Sequence, residues 1–383
     1  MKILLIEHTC SEFVSSRLRL GVFLKKQGYN VYALVPNNGK EQHYKTIKNA
    51  GLSLLTYPYK RNDTNISSNL KRIKIFRGLI KEHQFDIVHS FKFQPNLYAA
   101  ISSLGIRKSK LVLHITGLGV AFSDKKTPKI RILRFISQAI FLFNFIIADR
   151  LIFQNHDDEK ELWLTSLFKK KHSVIEGSGV DIEKFDKQNF DIQALKNKRN
   201  LEDKFIMTFI SRLVWQKGVR EVVQAMKVLL EQYPNFYLQI VGNTDPKNPE
   251  TVTEEFINEN RVEGSIDFLG RRSDIPELLA ISDLYVYPSY YREGLPRTGL
   301  EALATGLPII TTDSPGCNLL IEEGENGYLV LPKSAEAVKE AIEKIYNGNK
   351  MTTMGKRSRE IAETKYQNEI IYKRIYSKYL EIL

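Results

Sequence analysis

The sequence predicts an α/β protein with two Rossmann-like domains, each built on a doubly wound parallel sheet. Short apolar runs alternate with amphipathic segments, and strands that alternate with helices are typical of parallel sheets. At 383 residues the chain also exceeds the usual size of a single core, which favours two domains. The last predicted strand of the first domain ends at Phe153 and the rhythm restarts at Phe205, and the domain boundary is predicted between them, near residues 177–187.

The predicted strands are apolar runs too short for helices and bounded by polar residues. In the first domain they are 2–6, 31–35, 86–90, 110–114 and 151–153. In the second they are 205–211, 236–241, 265–269, 284–287, 308–312 and 328–331. Helical spacing of apolar residues is clearest over 15–27, 69–82 and 219–232.

Two glutamates, Glu293 and Glu301, stand eight residues apart around a loop formed by Gly294, Leu295 and Pro296. Proline is best tolerated in the first turn of a helix, so a helix is predicted to start near Pro296, with Glu301 one or two turns inside it. The free N–H groups of a helix N-terminus bind phosphate. The pattern therefore predicts a site for a nucleotide diphosphate that carries a hydroxyl-rich group.

A second pair of charged residues, Arg212 and Lys217, follows the predicted strand at 205–211. Open α/β sheets bind their ligands at the carboxyl ends of strands. Arginine can bind a phosphate through two hydrogen bonds, and lysine can neutralise another as a point charge. Each pair alone would more often be ordinary surface charge. Together, the two pairs predict a diphosphate clamp.

These residues resemble the retaining glycosyltransferases of family 4, whose signature is the E-x7-E loop with an arginine and a lysine upstream. The resemblance covers nearly the whole chain. It includes Gly-Val-Asp-Ile-Glu-Lys-Phe at 179–185, Phe-Leu-Gly-Arg at 268–271, and the segments 315–317 and 325–327. Segments 115–119 and 212–218 are similar to the subgroup that extends lipid-linked oligosaccharides and O-antigen repeats, many of which use a UDP-N-acetylhexosamine.

The resemblance implies the GT-B fold, in which two Rossmann-like domains face a central cleft. The acceptor would bind to a domain at residues 1–182, to which a C-terminal helix at 366–383 crosses back. The nucleotide sugar would bind to a domain at residues 183–365.

The resemblance also implies a role for each candidate site residue. Arg212 and Lys217 would stabilise the charge that grows on the leaving diphosphate, an interaction that strengthens in the transition state. Glu293 would face the transferred sugar, and Glu301 would accept hydrogen bonds from the ribose hydroxyls. The other donor-side candidates are Gly294, Leu295, Pro296, Arg271, Thr116 and Gly117.

One position departs from the family pattern. Many members carry a histidine after an N-terminal strand that contacts the donor sugar, and Thr116 fills that position here. His114 either faces the cleft or is a hydrogen-bonded core residue at the end of a buried strand, and the core position is favoured. The sequence therefore does not predict a catalytic histidine.

Basic residues are concentrated in the first half of the chain. Lysine and arginine outnumber aspartate and glutamate by 31 to 16 over residues 1–190, and are outnumbered by 28 to 25 over the rest. Such asymmetry is typical of a partner with phosphates, either nucleic acid or an anionic membrane. No nucleic-acid-binding motif is present, so the membrane is favoured.

A basic segment precedes the apolar run 135–147, which is interpreted as too short to span a bilayer. This composition is typical of a helix that lies in the membrane interface, and a core helix with a solvated basic end is the equal alternative. Arg17 is expected at the rim of the first sheet, where it could meet an acceptor phosphate. The candidates for acceptor or membrane contact are Arg17, Lys125, Lys126, Lys129, Arg131 and Arg134.

Other features bear on cofactors and location. No group of His, Cys and Asp has metal-ligand spacing, and the paired cations make a metal unnecessary for the leaving group, so no required metal or cofactor is expected. Two cysteines, Cys10 and Cys317, fit a reducing cytoplasm and are interpreted as packing residues. No signal peptide or spanning segment is identified, which predicts a cytoplasmic protein, peripheral on the inner face of the membrane.

The sequence thus predicts a retaining transferase. It would move a hexose or an N-acetylhexosamine, with GalNAc or GlcNAc expected, from a UDP-sugar to a polyprenyl-diphosphate-linked saccharide in surface polysaccharide assembly. Two alternatives stay open at this point: a GT-B UDP-sugar epimerase, and a basic membrane- or nucleic-acid-binding protein with a degenerate sugar site.

Overall fold

The computed structural model describes residues 1–59, 65–106, 108–122 and 127–383. They form two compact units, the first made of Met1–Gly179 with Asn368–Leu383 and the second of Val180–Gln367. The division lies three residues before the predicted boundary at 182. The chain returns to the first unit at Asn368, two residues after the predicted position.

The first unit contains a seven-stranded parallel sheet with the order β3-β2-β1-β4-β5-β6-β7. Its strands are β1 (Lys2–Ile6), β2 (Asn30–Pro36), β3 (Ser53–Tyr57), β4 (Ile87–Phe91), β5 (Lys110–Ile115), β6 (Arg150–Phe153) and β7 (His172–Val174). The sequence analysis missed β3 and β7. The first is an edge strand in which only Tyr57 is buried, and the second has three residues, which is too short for a periodic signal.

Helices connect these strands. They are α1 (Cys10–Glu12), a π-helical turn (Phe13–Arg17), α2 (Leu18–Lys26), α3 (Glu41–Asn49), α4 (Ile66–His83), α5 (Phe93–Ser103), α6 (Pro128–Ile147) and α7 (His156–Glu161), with 3-10 turns at Val120–Phe122 and Thr165–Phe168. Helix α6 starts where it does because Thr127 caps it, its side chain accepting from the Ile130 N–H at 3.3 Å, and because Pro128 suits the first turn.

The second unit contains a six-stranded parallel sheet with the order β10-β9-β8-β11-β12-β13. Its strands are β8 (Phe205–Ile210), β9 (Phe236–Val241), β10 (Ile266–Gly270), β11 (Leu284–Tyr287), β12 (Ile309–Thr312) and β13 (Gly327–Val330). Its helices are α8 (Ile192–Asn197), α9 (Val219–Leu229), α10 (Glu254–Asn260), α11 (Ile275–Ala280), α12 (Arg297–Thr305), α13 (Ala335–Asn347) and α14 (Met351–Ile361), followed by a π-helical turn (Ala362–Tyr366).

Strand order places the candidate site of the second unit. The chain leaves β8 toward β9 on one side, and the later strand β11 lies on the other side of β8. The strand order reverses between β8 and β11, and open α/β sheets bind ligands at the carboxyl ends of strands at such a point.

The last helix, α15 (Asn368–Leu380), covers one face of the first sheet. Successive side chains of a strand point to opposite faces, so Leu4 and Ile6 pack in one hydrophobic cluster while Ile3 and Leu5 pack in the other. Buried side chains of α15, among them Ile375 and Tyr379, complete the cluster that contains Ile3 and Leu5.

Helix α6 differs from its prediction. The apolar run was interpreted as too short to span a bilayer, but the helix begins at Pro128 and has 20 residues. Within the described ranges it is the one helix that is long and apolar enough to cross a membrane by length and composition. One face packs in the core of the first unit, where Phe141 contacts Phe93 and Phe122, and Phe145 contacts Phe153 and Phe168.

The two faces of α6 should differ in their contribution to stability. We expect Phe145→Ala to lower the free energy of unfolding by about 3–5 kcal/mol, because it leaves a cavity in the core. Phe135→Ala removes an exposed ring of the same helix and should change the free energy of unfolding by no more than about 0.5 kcal/mol. Urea unfolding of both variants tests this, and equal losses would contradict the described orientation of the helix.

Candidate active site

Two loops of the second unit meet beside the ends of β8 and β11. A 3-10 turn, Trp215–Lys217, follows β8 and ends at Gly218, which has a φ of 84°. A Cβ at Gly218 would overlap the Pro288 carbonyl, so only glycine lets the turn approach the loop after β11 this closely. The Tyr290 N–H donates to the Gln216 carbonyl oxygen at 3.0 Å and joins the two loops.

A third loop supports the E-x7-E segment from behind. The Glu293 N–H donates to the Pro315 carbonyl oxygen at 3.2 Å. Gly316 has a φ of 79°, and a Cβ there would overlap the carbonyl oxygens of Glu293 and Gly294. The backbone around Glu293 is therefore fixed by close contact with the loop after β12.

The side chains of Lys217 and Glu293 form an ion pair where these loops meet. The Lys217 Nζ contacts the Glu293 Oε1, and Lys217 is almost completely buried. The Tyr287 hydroxyl donates to the same carboxylate oxygen at 2.8 Å. The Lys217 Nζ also lies 4.5 Å from the ring centre of Tyr291. Glu293 is thus held by a cation and a phenol from two different elements.

Burial sets the proton affinity of these groups. It lowers the pKa of Lys217 to about 7, and the neighbouring Arg212 acts in the same direction. The adjacent carboxylate of Glu293 favours the charged amine. Burial also raises the pKa of Tyr287 well above its usual value, so this side chain stays a hydrogen-bond donor at neutral pH. An anion beside Lys217 is therefore needed to keep the buried ammonium stable.

Glu301 lies on α12, which begins at Arg297 directly after Pro296, so the predicted helix start is correct. The carboxylate is buried and accepts from the Arg297 Nε at 3.0 Å. Burial raises its pKa, while Arg297 and Lys184 act in the opposite direction. The sequence analysis missed Arg297, although a basic residue four positions before a glutamate on a helix is a recognisable pairing signal.

Arg212 and Arg271 follow two other strands of the same sheet. Arg212 is exposed, and its guanidinium lies 3.6 Å from the carboxylate of Asp245, which follows β9. Arg271 is exposed directly after β10. A pocket of about 280 Å³ lies at this edge. Its lining includes Leu213, Asn243, Phe268 and Gly270. The sequence analysis did not identify Asp245 or Tyr287 as site residues. Their only signal was their position, since Asp245 follows β9 and Tyr287 ends β11.

Thr116 and Gly117 follow β5 in the first unit, where Gly117 has a φ of 123°. His114 is completely buried, and its ring stacks on that of His89, with the two ring centres 5.5 Å apart. Burial lowers its pKa well below the usual value. It is a core residue, as favoured, but the expected hydrogen bond is wrong, because neither ring nitrogen has a partner within the described part of the chain.

Arg17 lies at the expected edge of the first sheet, beside Glu7, which follows β1, and Phe91, which ends β4, but it is not open to solvent there. Arg17 is buried, and its Nε donates to the Glu7 Oε2 at 3.1 Å. Its guanidinium carbon lies 3.9 Å from the ring centre of Phe91. Since Glu7 is itself completely buried, the pair neutralises two charges inside the first unit, which accounts for Arg17 without an acceptor phosphate.

The remaining basic candidates fall into three groups. Lys129 and Arg131 are exposed on the first turn of α6. Arg134 is instead half-buried and donates to the Ala121 carbonyl oxygen at 3.1 Å. Lys125 and Lys126 lie outside the described residues. Among the described ranges there is no group of three or more His, Cys, Asp or Glu side chains that could hold a metal ion.

Comparison with known proteins gives the family. The model described as "Glycosyl transferases group 1" matches residues 191–364, and the model described as "Glycosyl transferase 4-like" matches residues 2–155. The chain is a family 4 glycosyltransferase with the GT-B fold.

Similar proteins cover the whole chain or most of it. The N,N'-diacetylbacillosaminyl-diphospho-undecaprenol alpha-1,3-N-acetylgalactosaminyltransferase of Campylobacter jejuni is 26% identical over 390 residues, which is 100% of this chain and 99% of that protein. The UDP-Gal:alpha-D-GlcNAc-diphosphoundecaprenol alpha-1,3-galactosyltransferase of Escherichia coli is 28% identical, over 78% of this chain and 76% of that protein. The crystal structure of Anabaena HepE in complex with UDP and glucose superposes with a TM-score of 0.81 at 20% identity, covering 100% of both chains.

Tyr287 should affect the transferase through Glu293. We expect Tyr287→Phe to lower kcat by about tenfold, because hydrogen bonds to charged groups contribute about 1.5–3 kcal/mol and Glu293 loses one of the groups that fix it. The measurement is steady-state transfer, with KM for the donor determined separately.

Tyr285→Phe is the matched control for this change. Tyr285 is buried on the same face of β11, but its hydroxyl pairs with the Thr298 Oγ1 at 2.7 Å and not with Glu293. We expect this variant to lose similar stability and to keep kcat close to that of the wild type. Equal kcat values for the two variants would rule out the positioning of Glu293 by Tyr287.

Proposed function

We propose that the enzyme transfers a sugar from a UDP-sugar to a polyprenyl-diphosphate-linked saccharide. The observation that carries the proposal is the buried cation Lys217, which an anion must neutralise. Lys217 lies at the carboxyl edge of the second sheet, where the loops that carry Arg212 and Glu293 meet. The diphosphate of a nucleotide sugar can replace Glu293 as the partner of Lys217. Glu293 is then released toward the sugar.

In this proposal, the charged residues divide the work on the donor. When the bond between the anomeric carbon and the phosphate oxygen breaks, its electron pair stays on the UDP. Lys217 and Arg212 stabilise the charge that grows there. A hydroxyl of the acceptor forms the new bond to the anomeric carbon, and its proton passes to the phosphate oxygen of the departing UDP. Glu301 accepts hydrogen bonds from the ribose hydroxyls, and Arg271 flanks the uracil with its backbone.

We further propose that the donor is UDP-GalNAc or UDP-GlcNAc and that the anomeric configuration is retained. Similarity to the Campylobacter jejuni enzyme, which is named for transfer of N-acetylgalactosamine to a diphospho-undecaprenol-linked sugar, supports this donor class. The Escherichia coli relative is named for forming an alpha linkage from UDP-Gal. The galactose of UDP-Gal is itself alpha-linked, so that reaction retains configuration, and we extend the same outcome to this chain.

Two further proposals concern cofactors and location. Lys217 and Arg212 supply the positive charge that a metal ion would otherwise provide, so we propose that no metal is required. We also propose that the enzyme works in the cytoplasm, peripheral to the inner face of the membrane, because a polyprenyl-linked acceptor is anchored there. Nucleic acid is not proposed as a partner.

The test is a panel of UDP-sugars, each incubated with the purified chain and a short-chain prenyl-diphosphate-linked HexNAc. We expect UDP release that requires the acceptor, with one preferred donor and an alpha-linked product of matching mass. Activity should survive removal of divalent metals by EDTA. Interconversion of nucleotide sugars without acceptor would indicate an epimerase instead. No turnover with any donor despite UDP binding would indicate a degenerate site.

Variants of the proposed clamp make the test specific. We expect Lys217→Met to lower kcat/KM by about 10²-fold or more, since removal of one charge-stabilising group typically has that effect. Glu301→Gln should lower kcat/KM by about tenfold or more, since hydrogen bonds to a charged group contribute about 1.5–3 kcal/mol. Lys227→Met and Glu336→Gln remove exposed charges elsewhere in the second unit and should keep activity. Wild-type turnover in both clamp variants would contradict the proposed roles.

Donor binding should also depend on pH through Lys217. Its pKa of about 7 means that, in the enzyme without donor, the Lys217 amine loses its charge as pH rises from 6 to 8.5. A bound diphosphate favours the ammonium, so binding takes up a proton above pH 7. The affinity for a UDP-sugar should then weaken by up to about tenfold per pH unit.

Calorimetric titration at several pH values measures this dependence. The diphosphate of a UDP-sugar is fully substituted and does not titrate over this range. We expect Lys217→Met to bind more weakly and to lose the slope, while Lys227→Met keeps it. A slope that persists in Lys217→Met would assign the titration to another group.

A further inference from the structure

A group of apolar side chains is exposed on the first unit, on the outer face of α6 and on the turn that follows α7. Phe135 is 62% exposed, Trp163 50% and Leu167 71%. Single exposed apolar residues are common, but a contiguous group marks an interaction site. We call it the α6–Trp163 surface, and it is formed by Ile132, Phe135, Ile136, Trp163, Leu164 and Leu167.

The members of this surface are contiguous. Ile132, Phe135 and Ile136 are spaced by three and four residues and therefore share one face of the helix. The ring of Phe135 meets the ring of Trp163 edge-on, with their centres 5.7 Å apart. Leu164 and Leu167 follow Trp163 in one tight turn, in which the Leu167 N–H donates to the Leu164 carbonyl oxygen at 3.0 Å.

The turn that carries Trp163 is held against the helix. The buried side chain of Gln138 on α6 donates to the Glu161 carbonyl oxygen at 3.0 Å and accepts from the Trp163 N–H at 2.9 Å. Leu164 has a φ of 60°, a left-handed conformation that is uncommon for a residue other than glycine. The fold therefore maintains an unfavourable backbone conformation in a turn that exposes leucine and tryptophan to solvent.

Positive charge lies at both ends of the surface. Lys129 and Arg131 are exposed at the start of α6, and Lys169 and Lys170 are exposed just beyond Leu167. An apolar face bordered by lysine and arginine is complementary to the interface of an anionic bilayer. A second copy of the chain would instead bring like charges together.

We propose that the α6–Trp163 surface binds an anionic lipid bilayer, with α6 lying parallel to the membrane plane. The helix does not cross the membrane, because its other face packs in the core and carries the buried polar residues Ser137, Gln138 and Asn144. The inference rests on the proposed function, in which the acceptor is anchored in a membrane, and it identifies the surface that brings the enzyme to that acceptor.

Vesicle flotation with the full chain tests the proposal. We expect the wild type to float with vesicles that contain phosphatidylglycerol and to float less with phosphatidylcholine alone. The double variant Phe135→Ala/Trp163→Ala should partition at least about tenfold less, because two exposed rings no longer enter the interface. Lys169→Glu/Lys170→Glu should lose the preference for anionic vesicles. Leu331→Ala removes a side chain that is 74% exposed in the second unit, and it should float like the wild type.

Two results would overturn the proposal. One is flotation that is absent in the wild type or unchanged in Phe135→Ala/Trp163→Ala. The other is a wild-type dimer in sedimentation that this double variant converts to a monomer with no change in flotation, since the surface would then join two copies of the chain. Flotation needs no donor, acceptor or turnover, so its outcome is independent of whether the enzyme transfers the proposed sugar. Thermal unfolding of each variant checks that the fold is kept.

Discussion

The ion pair between Lys217 and Glu293 is the interaction on which the arrangement of the candidate site depends. Both residues come from loops, and loops alone rarely fix a charge to within a hydrogen-bond length. Here close backbone contacts at Gly218 and Gly316 bring three loops together, and the Tyr287 hydroxyl restrains the carboxylate. A buried charge without a partner is costly, so the site strongly favours an anion next to Lys217. This preference is what a phosphate-binding site requires.

The same pair explains how such a site can stay folded without its ligand. A clamp of cations alone would be unstable in a buried location, because burial disfavours the charged amine. With Glu293 as a built-in anion, Lys217 has a partner in the free enzyme, and in the proposed function it exchanges this partner for a diphosphate. This proposed exchange would change the number of ion pairs very little. Donor affinity would then depend on how much better the diphosphate satisfies Lys217 and Arg212 than Glu293 and Asp245 do.

Much of this arrangement could be predicted from the sequence, and the failures have physical causes. Residues 205–211 and 284–287 read as strands because buried parallel strands are continuous apolar runs, and this placed Arg212 and Lys217 correctly at a carboxyl edge. The start of α12 followed from Pro296. The burial of Arg17 was not predicted, because its partner Glu7 is ten residues away in sequence and is brought close by tertiary packing. Tyr287 and Asp245 were missed for another reason. Single polar residues at or after strand ends have no periodic pattern.

Net charge turns out to be a poor guide to where this enzyme would bind phosphate. Residues 191–383 carry a slight excess of acidic residues, yet the proposed diphosphate site lies among them. Local burial accounts for this, because one desolvated lysine attracts an anion more strongly than several solvated ones screened by salt. The basic excess of residues 1–190 follows the opposite logic. Lys129, Arg131, Lys169 and Lys170 are exposed, and many weak, screened charges suit an extended anionic surface. In the two proposals, the halves of the chain thus use positive charge in different ways: the second half places the buried Lys217 at a nucleotide site, and the first half distributes exposed charges over a membrane-binding surface.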